Sequence, residues 1–152
     1  MDKEADLQRE LEHLRGALGY DFMAIALPEP AEEQFVIKWR YAAGNLNERY
    51  RRIVLQTGKG VAGIVFKTGK PMWLPSVQEA ISDENLFHYP IINLEKLKSL
   101  AAVPLWNDAR VAGVLLGGFR EPERVTESHL EEMLKWAKKG IGDFNGKEWM
   151  SN

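Results

Sequence analysis

The sequence predicts an α+β domain built on an antiparallel sheet. Three observations carry that expectation. Two apolar runs near the start, residues 22–27 and 34–43, flank a Pro-Glu-Pro turn, and two near the end, residues 97–105 and 111–119, flank Asn107-Asp108-Ala109; each pair reads as an antiparallel hairpin. The stretch between the pairs is broken by glycine and proline and reads as helical crossovers. An amphipathic helix opens the chain and another closes it, so the layers are one sheet and several helices. The length, 152 residues, suits one domain across 1–152, and no repeat, low-complexity tract or linker divides it.

In the opening helix Leu7, Leu11, Leu14 and Leu18 recur at spacings of four, three and four among charged side chains, and Gly19 stands where the helix should stop. This stripe either packs on the chain's own sheet or, since leucines at a and d positions also form a coiled-coil seam, makes a homodimer contact through the terminal helices. Residues 22–27 (FMAIAL) form a buried strand that Pro28, Glu29 and Pro30 stop. In the next strand Phe35, Ile37, Trp39 and Tyr41 share one face and Val36, Lys38 and Arg40 the other; Gly44, Asn45 and Asn47 end it. Residues 53–55 form a further short strand. Gly58-Lys59-Gly60 turns into a short helix that Gly69 caps, and Met72, Trp73 and Leu74 are extended between two prolines. Residues 76–89 are irregular with helical turns, and Pro90 starts a turn through Ile91, Ile92, Leu94 and Leu97. After the second hairpin Thr126 caps a helix whose apolar face is Leu130, Met133, Leu134, Ala137 and Ile141; the tail after about 143 is irregular.

Composition narrows the function. Twenty basic and 22 acidic side chains give a net charge of −2, with no broad electrostatic drive toward nucleic acid or an anionic membrane. The absence of cysteine excludes disulfides, thiolate metal sites, cysteine nucleophiles and cofactors attached through cysteine. His13, His88 and His129 lack metal-ligand spacing. No nucleophile–base pair or Walker pattern is present, so a catalyst is not expected, and no cofactor is. No apolar run approaches the roughly 20 residues that span a bilayer, and the N-terminus lacks a signal-peptide core, so the expected address is the cytoplasm. Arg49, Arg51 and Arg52 form a small basic cluster, read as exposed, with a contact to an acidic partner as the alternative.

The segments TGKGVAGIVFKTGKPMWLPSV and KSLAAVPLWNDARVAGVLLGGF closely resemble a GAF domain. Gly58, Gly60, Val61 and Gly63 match its glycine turn into a helix, and Thr68, Gly69, Lys70 and Pro71 match the end of that helix. Ser99, Val103, Pro104 and Leu105, with Val111, Gly113, Val114 and Leu115, match its last hairpin. The resemblance covers almost the whole chain. It implies a twisted antiparallel sheet with the N- and C-terminal helices on one face and a small-ligand pocket under crossover helices and loops on the other. It also implies a sensor or interaction module, with the ligand to be argued from the site. The branch that reduces free methionine sulfoxide and the covalent bilin branch both need cysteine. Heme would need His88, which reads better as a surface histidine, and the cyclic-nucleotide motif is not found.

Two features point to a small anion. The glycine turn at 58–60 leaves the amides of Val61 and Ala62 at a helix start, and Pro90 sets up a second start with the amides of Ile91 and Ile92; such ends attract anions. Trp39 is placed to add an indole N–H and Tyr89 a hydroxyl. This arrangement resembles the GAF-type nitrate receptors, small proteins that regulate a sensor histidine kinase. That resemblance implies ligand contacts at Trp39, Val61, Ala62, Tyr89, Ile91 and Ile92. A second tryptophan expected beside the last amide is replaced here by Ile92. The competing expectations are a ligand-free dimerisation or protein-interaction module, whose glycines only shape the turn and whose Trp39, Trp73 and Trp106 are core aromatics, and a sensor of another small molecule.

Overall fold

The structure, a computed structural model, describes residues 3–142 and 144–148. Helix α1 (Lys3–Leu18) leads into the hairpin β1 (Phe22–Pro30) and β2 (Phe35–Ala43). The crossover contains a 3-10 turn at Arg49–Arg52, β3 (Val54–Leu55), α2 (Gly60–Thr68), β4 (Met72–Leu74), α3 (Val77–Ala80), a second 3-10 turn at Asp83–His88 and α4 (Pro90–Glu95). The hairpin β5 (Ser99–Asn107) and β6 (Arg110–Phe119) and then α5 (Glu127–Lys139) complete the fold. All six strands form one antiparallel sheet in the order β3-β2-β1-β6-β5-β4. The two hairpins meet through β1 and β6, and a short strand covers each outer edge.

The sheet separates two apolar cores, as the α+β reading requires. On one face Leu7, Leu11 and Leu14 of α1 and Met133 and Ala137 of α5 pack on Met23, Ile25, Ala101, Val103, Leu105 and Leu115. On the other, Val61, Ala62 and Val65 of α2, Val77 of α3, and Ile91 and Ile92 of α4 pack on Phe22, Ala24, Ala26, Ile37, Trp39, Leu100, Ala102, Val114 and Leu116. Alternation along each strand assigns neighbours such as Ala101 and Ala102 to opposite faces. The leucine stripe of α1 is thus occupied by its own sheet, with Leu11 and Leu14 fully buried. Full burial of such a side chain is worth about 1.5–3 kcal/mol.

Four details depart from the sequence expectation. Strand β1 runs on through Pro28 and Pro30, because both lie beyond Ala26, the last residue paired to β6, where a missing N–H costs no ladder bond on that side. Tyr41 does not share the Trp39 face: Ile25 pairs with Tyr41 but Ala26 with Trp39, so Arg40 is an extra, bulged residue and Tyr41 swings to the terminal-helix side. Leu134 is 36% exposed, since the α5 face that meets the sheet is centred on Met133 and Ala137. The tail is tied down through residue 147: Phe144 bridges Ile141, the Gly146 amide donates to the Trp106 carbonyl (3.0 Å), and Asn145 Nδ2 donates to Asp108 Oδ1 (2.8 Å).

Candidate ligand site

All six residues singled out from the sequence fall in the crossover-side core. Trp39, Val61, Ala62, Ile91 and Ile92 are buried members, and Tyr89 is a half-buried residue packed against them. Trp39 comes from the middle of β2, where the strand alternation turns its ring inward. Val61 and Ala62 come from the first turn of α2, and Tyr89, Ile91 and Ile92 from the start of α4.

Glycines bring the α2 start into the core. The Gly58 amide donates to the Gly63 carbonyl (2.8 Å) and the Lys59 amide to the Gln56 carbonyl (3.0 Å), folding the loop back on the helix it opens. A Cβ at position 63 would lie 2.5 Å from the Gln56 carbonyl oxygen, so only glycine allows that approach. Lys59 stands at the N-cap position, extended, and provides no side-chain cap. Among the described residues no backbone or side-chain group accepts from the amides of Val61 and Ala62. These are the orphan donors of a helix N-terminus, and they carry its partial positive charge.

The second start differs. The Ile92 amide donates to the Tyr89 carbonyl at 3.0 Å and so is already engaged, while the Ile91 amide has no acceptor among the described residues. Pro90 at the first helical position contributes no N–H. A fourth donor is more telling. Trp39 is 1% exposed, and its indole Nε1 is buried without a hydrogen-bond partner among the described residues. Leaving such a donor unpaired costs about 1–3 kcal/mol, so it marks a place where an acceptor belongs. The hydrophobic cluster around it carries the Tyr50 and Tyr89 rings, and the fully buried Glu95 carboxylate, whose Oε2 also lacks a partner among the described residues, lies at the far end of α4. Burial pushes the Tyr50 phenol above its ordinary pKa, so it stays neutral near pH 7. The chemistry on offer is N–H donation in an apolar enclosure.

The residues read as bystanders are placed plainly. Trp73 and Trp106 are not core aromatics: Trp73 is 39% exposed with its Nε1 donating to the Val125 carbonyl (3.0 Å), and the half-buried Trp106 ring lies against Gly69. His88 is exposed and lies tilted against Phe87 with ring centroids 3.9 Å apart. Lys59 and Lys67 are exposed.

One supporting pair was not legible in the sequence. Glu95, the last residue of α4, is fully buried; its Oε1 accepts from Arg120 Nη2 (2.7 Å) and from the Leu46 amide (2.9 Å). Arg120 also donates to the carbonyls of Glu95 (2.9 Å) and Gly44 (3.1 Å), and its amide donates to Asp21 Oδ2 (2.9 Å). This pair fixes the far end of the helix whose near end belongs to the site. A glutamate in a mixed polar stretch carries no local sign of such a role.

Comparison with known proteins shows the family. A family model for the GAF domain matches residues 2–134. The chain is 43% identical to a Staphylococcus aureus NreA protein mutated in its nitrate-binding site, with a TM-score of 0.74, covering 79% of this chain and 88% of that one. A second structure of mutated NreA from the same organism is 38% identical at a TM-score of 0.76, covering 85% and 96%. A free methionine-R-sulfoxide reductase from Neisseria meningitidis shares the fold at 21% identity and a TM-score of 0.72, covering 95% and 78%. No curated protein matches the chain.

Proposed function

Because the chain belongs to the GAF domain family, we propose that it is a sensor of a small anion, with nitrate as the leading ligand, and that it regulates a signalling partner such as a histidine kinase. The ligand lies between Trp39 Nε1 and the amides of Val61, Ala62 and Ile91, with Tyr89 and Ile92 enclosing it. The observation that carries this reading is the buried, unpartnered indole N–H in the same core as three unpaired amides. Similarity to NreA proteins with a nitrate-binding site supports the choice of anion. None of the six residues carries a cationic side chain, which favours a weakly hydrated monoanion, because stripping water from sulfate or phosphate costs far more. The protein is non-catalytic on this reading. Its proposed address is the cytoplasm; among the described residues no helix is long and apolar enough to cross a membrane.

Calorimetric titration with nitrate, nitrite, chloride and sulfate tests the proposal. Nitrate should saturate one site, and at about 100 times its Kd it should add about 2.7 kcal/mol of stability. Trp39→Phe keeps most of the ring volume and removes the donor. A hydrogen bond to a charged group is worth about 1.5–3 kcal/mol, so nitrate affinity should fall by about one to two orders of magnitude in a folded protein. Equal affinity in that variant would refute the role of Trp39. One observation favours a second reading: the five core members of the site are each no more than 2% exposed, as in a ligand-free module filled by its own side chains. That reading predicts no saturable shift with any anion.

A further inference from the structure

The function above leaves the basic cluster at the first 3-10 turn unused. Arg49, Arg51 and Arg52 are all exposed, while Tyr50 between them is buried in the core that holds Trp39 and Ile91. The buried phenol anchors the turn, so the guanidinium groups project from a fixed base. Arg51 is partly neutralised by Glu48, whose Oε2 accepts from its Nε (2.7 Å), and the guanidinium lies 5.3 Å from the Tyr50 ring centroid. That contact holds the Glu48 carboxyl below its ordinary pKa, so the turn keeps three cations against one anion at neutral pH. The loop leading to the turn is ordered by Asn45 Nδ2 donating to the Asn47 carbonyl (2.8 Å) and the Arg49 amide donating to Asn47 Oδ1 (2.8 Å). At its tip Leu46 is 49% exposed. Beside it runs a cleft of about 500 Å³ between α1 and the turn, lined by Gln8, Glu12, Arg15, Asn45, Glu48 and Arg51, among others.

We propose that residues 44–52 form a docking surface for an acidic segment of a protein partner, with Leu46 meeting an apolar side chain and Arg49 and Arg52 meeting carboxylates. A cationic rim around an apolar point calls for a partner of opposite sign, and such complementarity sets both encounter rate and register. Nucleic acid fits less well, because Glu12 and Glu48 stand in the cleft and the chain as a whole is acidic. The surface is also joined to the anion site, a part of the inference that rests on the function proposed above. Glu95 accepts from the Leu46 amide and from Arg120, and Arg120 donates to the Gly44 carbonyl, so the 44–46 loop is bonded to the end of α4. Occupancy at the start of α4 therefore biases the loop through one short rigid helix.

The probe is a fluorescent amphipathic peptide of glutamate and leucine, titrated into the full chain with and without nitrate. Wild type should bind it more weakly as salt rises. Arg49→Glu with Arg52→Glu should weaken binding about tenfold or more, and Leu46→Ser should weaken it too, with nitrate affinity unchanged in both. Reversal at Lys138 and Lys139 on α5 should leave peptide binding intact. Saturating nitrate should shift peptide affinity, and Glu95→Gln, with Arg120→Lys as the milder variant, should remove that shift. Equal peptide binding by the Arg49/Arg52 variant, equal loss on reversal at α5, or tighter binding of a DNA duplex than of the peptide would overturn the docking surface. A nitrate-independent peptide affinity in a protein that binds nitrate would overturn the coupling. Failure of nitrate to bind would refute the anion reading, while the peptide arms would still decide the surface.

Discussion

Tyr20 shows how much one buried polar atom does on the terminal-helix side. Its ring stacks on Phe119 with centroids 5.0 Å apart, and its hydroxyl donates to Met133 Sδ (2.9 Å). Burial raises the phenol pKa well above its ordinary value. The unfolded chain releases that proton near pH 10 and the folded one does not, so this stabilisation is whole below about pH 10 and declines as pH climbs beyond it. Urea denaturation from pH 8 to 11 should show that decline, and Tyr20→Phe should make it shallower while costing about 1 kcal/mol at neutral pH. Gly63→Ala should cost about 1–3 kcal/mol, because its methyl group meets the Gln56 carbonyl, and nitrate affinity should fall with it as the α2 start is pushed away. Trp39 was legible because strand alternation alone puts it inward. Tyr41 was not, since a bulge at Arg40 has no sequence signature and reverses the face of everything after it. The engagement of the Ile92 amide by the Tyr89 carbonyl has no sequence sign, because proline starts a turn but does not say which of the next amides the turn itself consumes.

Among elements, α1 separates an internal role from an external one. The four-three-four leucine spacing fits a dimer seam as well as a sheet, and only the packing on Met23 and Ile25 decides between them. Leu11→Ala should therefore destabilise the fold by about 2–5 kcal/mol and leave the oligomeric state, measured by light scattering, unchanged. Hairpins, caps and helix starts were readable because each rests on local chemistry. Thr126 caps α5 in a box with His129, and Gly69 ends α2 in the left-handed conformation. The extent of β1 was not readable, because tolerance of Pro28 and Pro30 depends on where a non-local neighbour stops pairing. The tail hid its order for a similar reason: Asn145 and Gly146 bond to a hairpin turn about 38 residues away in sequence.

At the scale of the molecule, the sheet keeps two cores that share no residue. Ligand ordering should respect that division. Hydrogen exchange with saturating nitrate should slow at amides in residues 60–68 and 76–98, and exchange in α1 and α5 should change little. Uniform slowing across both faces would instead indicate global stabilisation alone. The same division has a consequence for descent and for engineering. Apart from Trp39, every residue assigned to the ligand comes from one uninterrupted stretch between the two hairpins, while α1 and α5 build the opposite face. The ligand side is therefore a cassette with one entry and one exit. An exchange at those two junctions would replace the helix starts that face the ligand and keep Trp39, so the same scaffold could take a new specificity while α1 and α5 stay as they were.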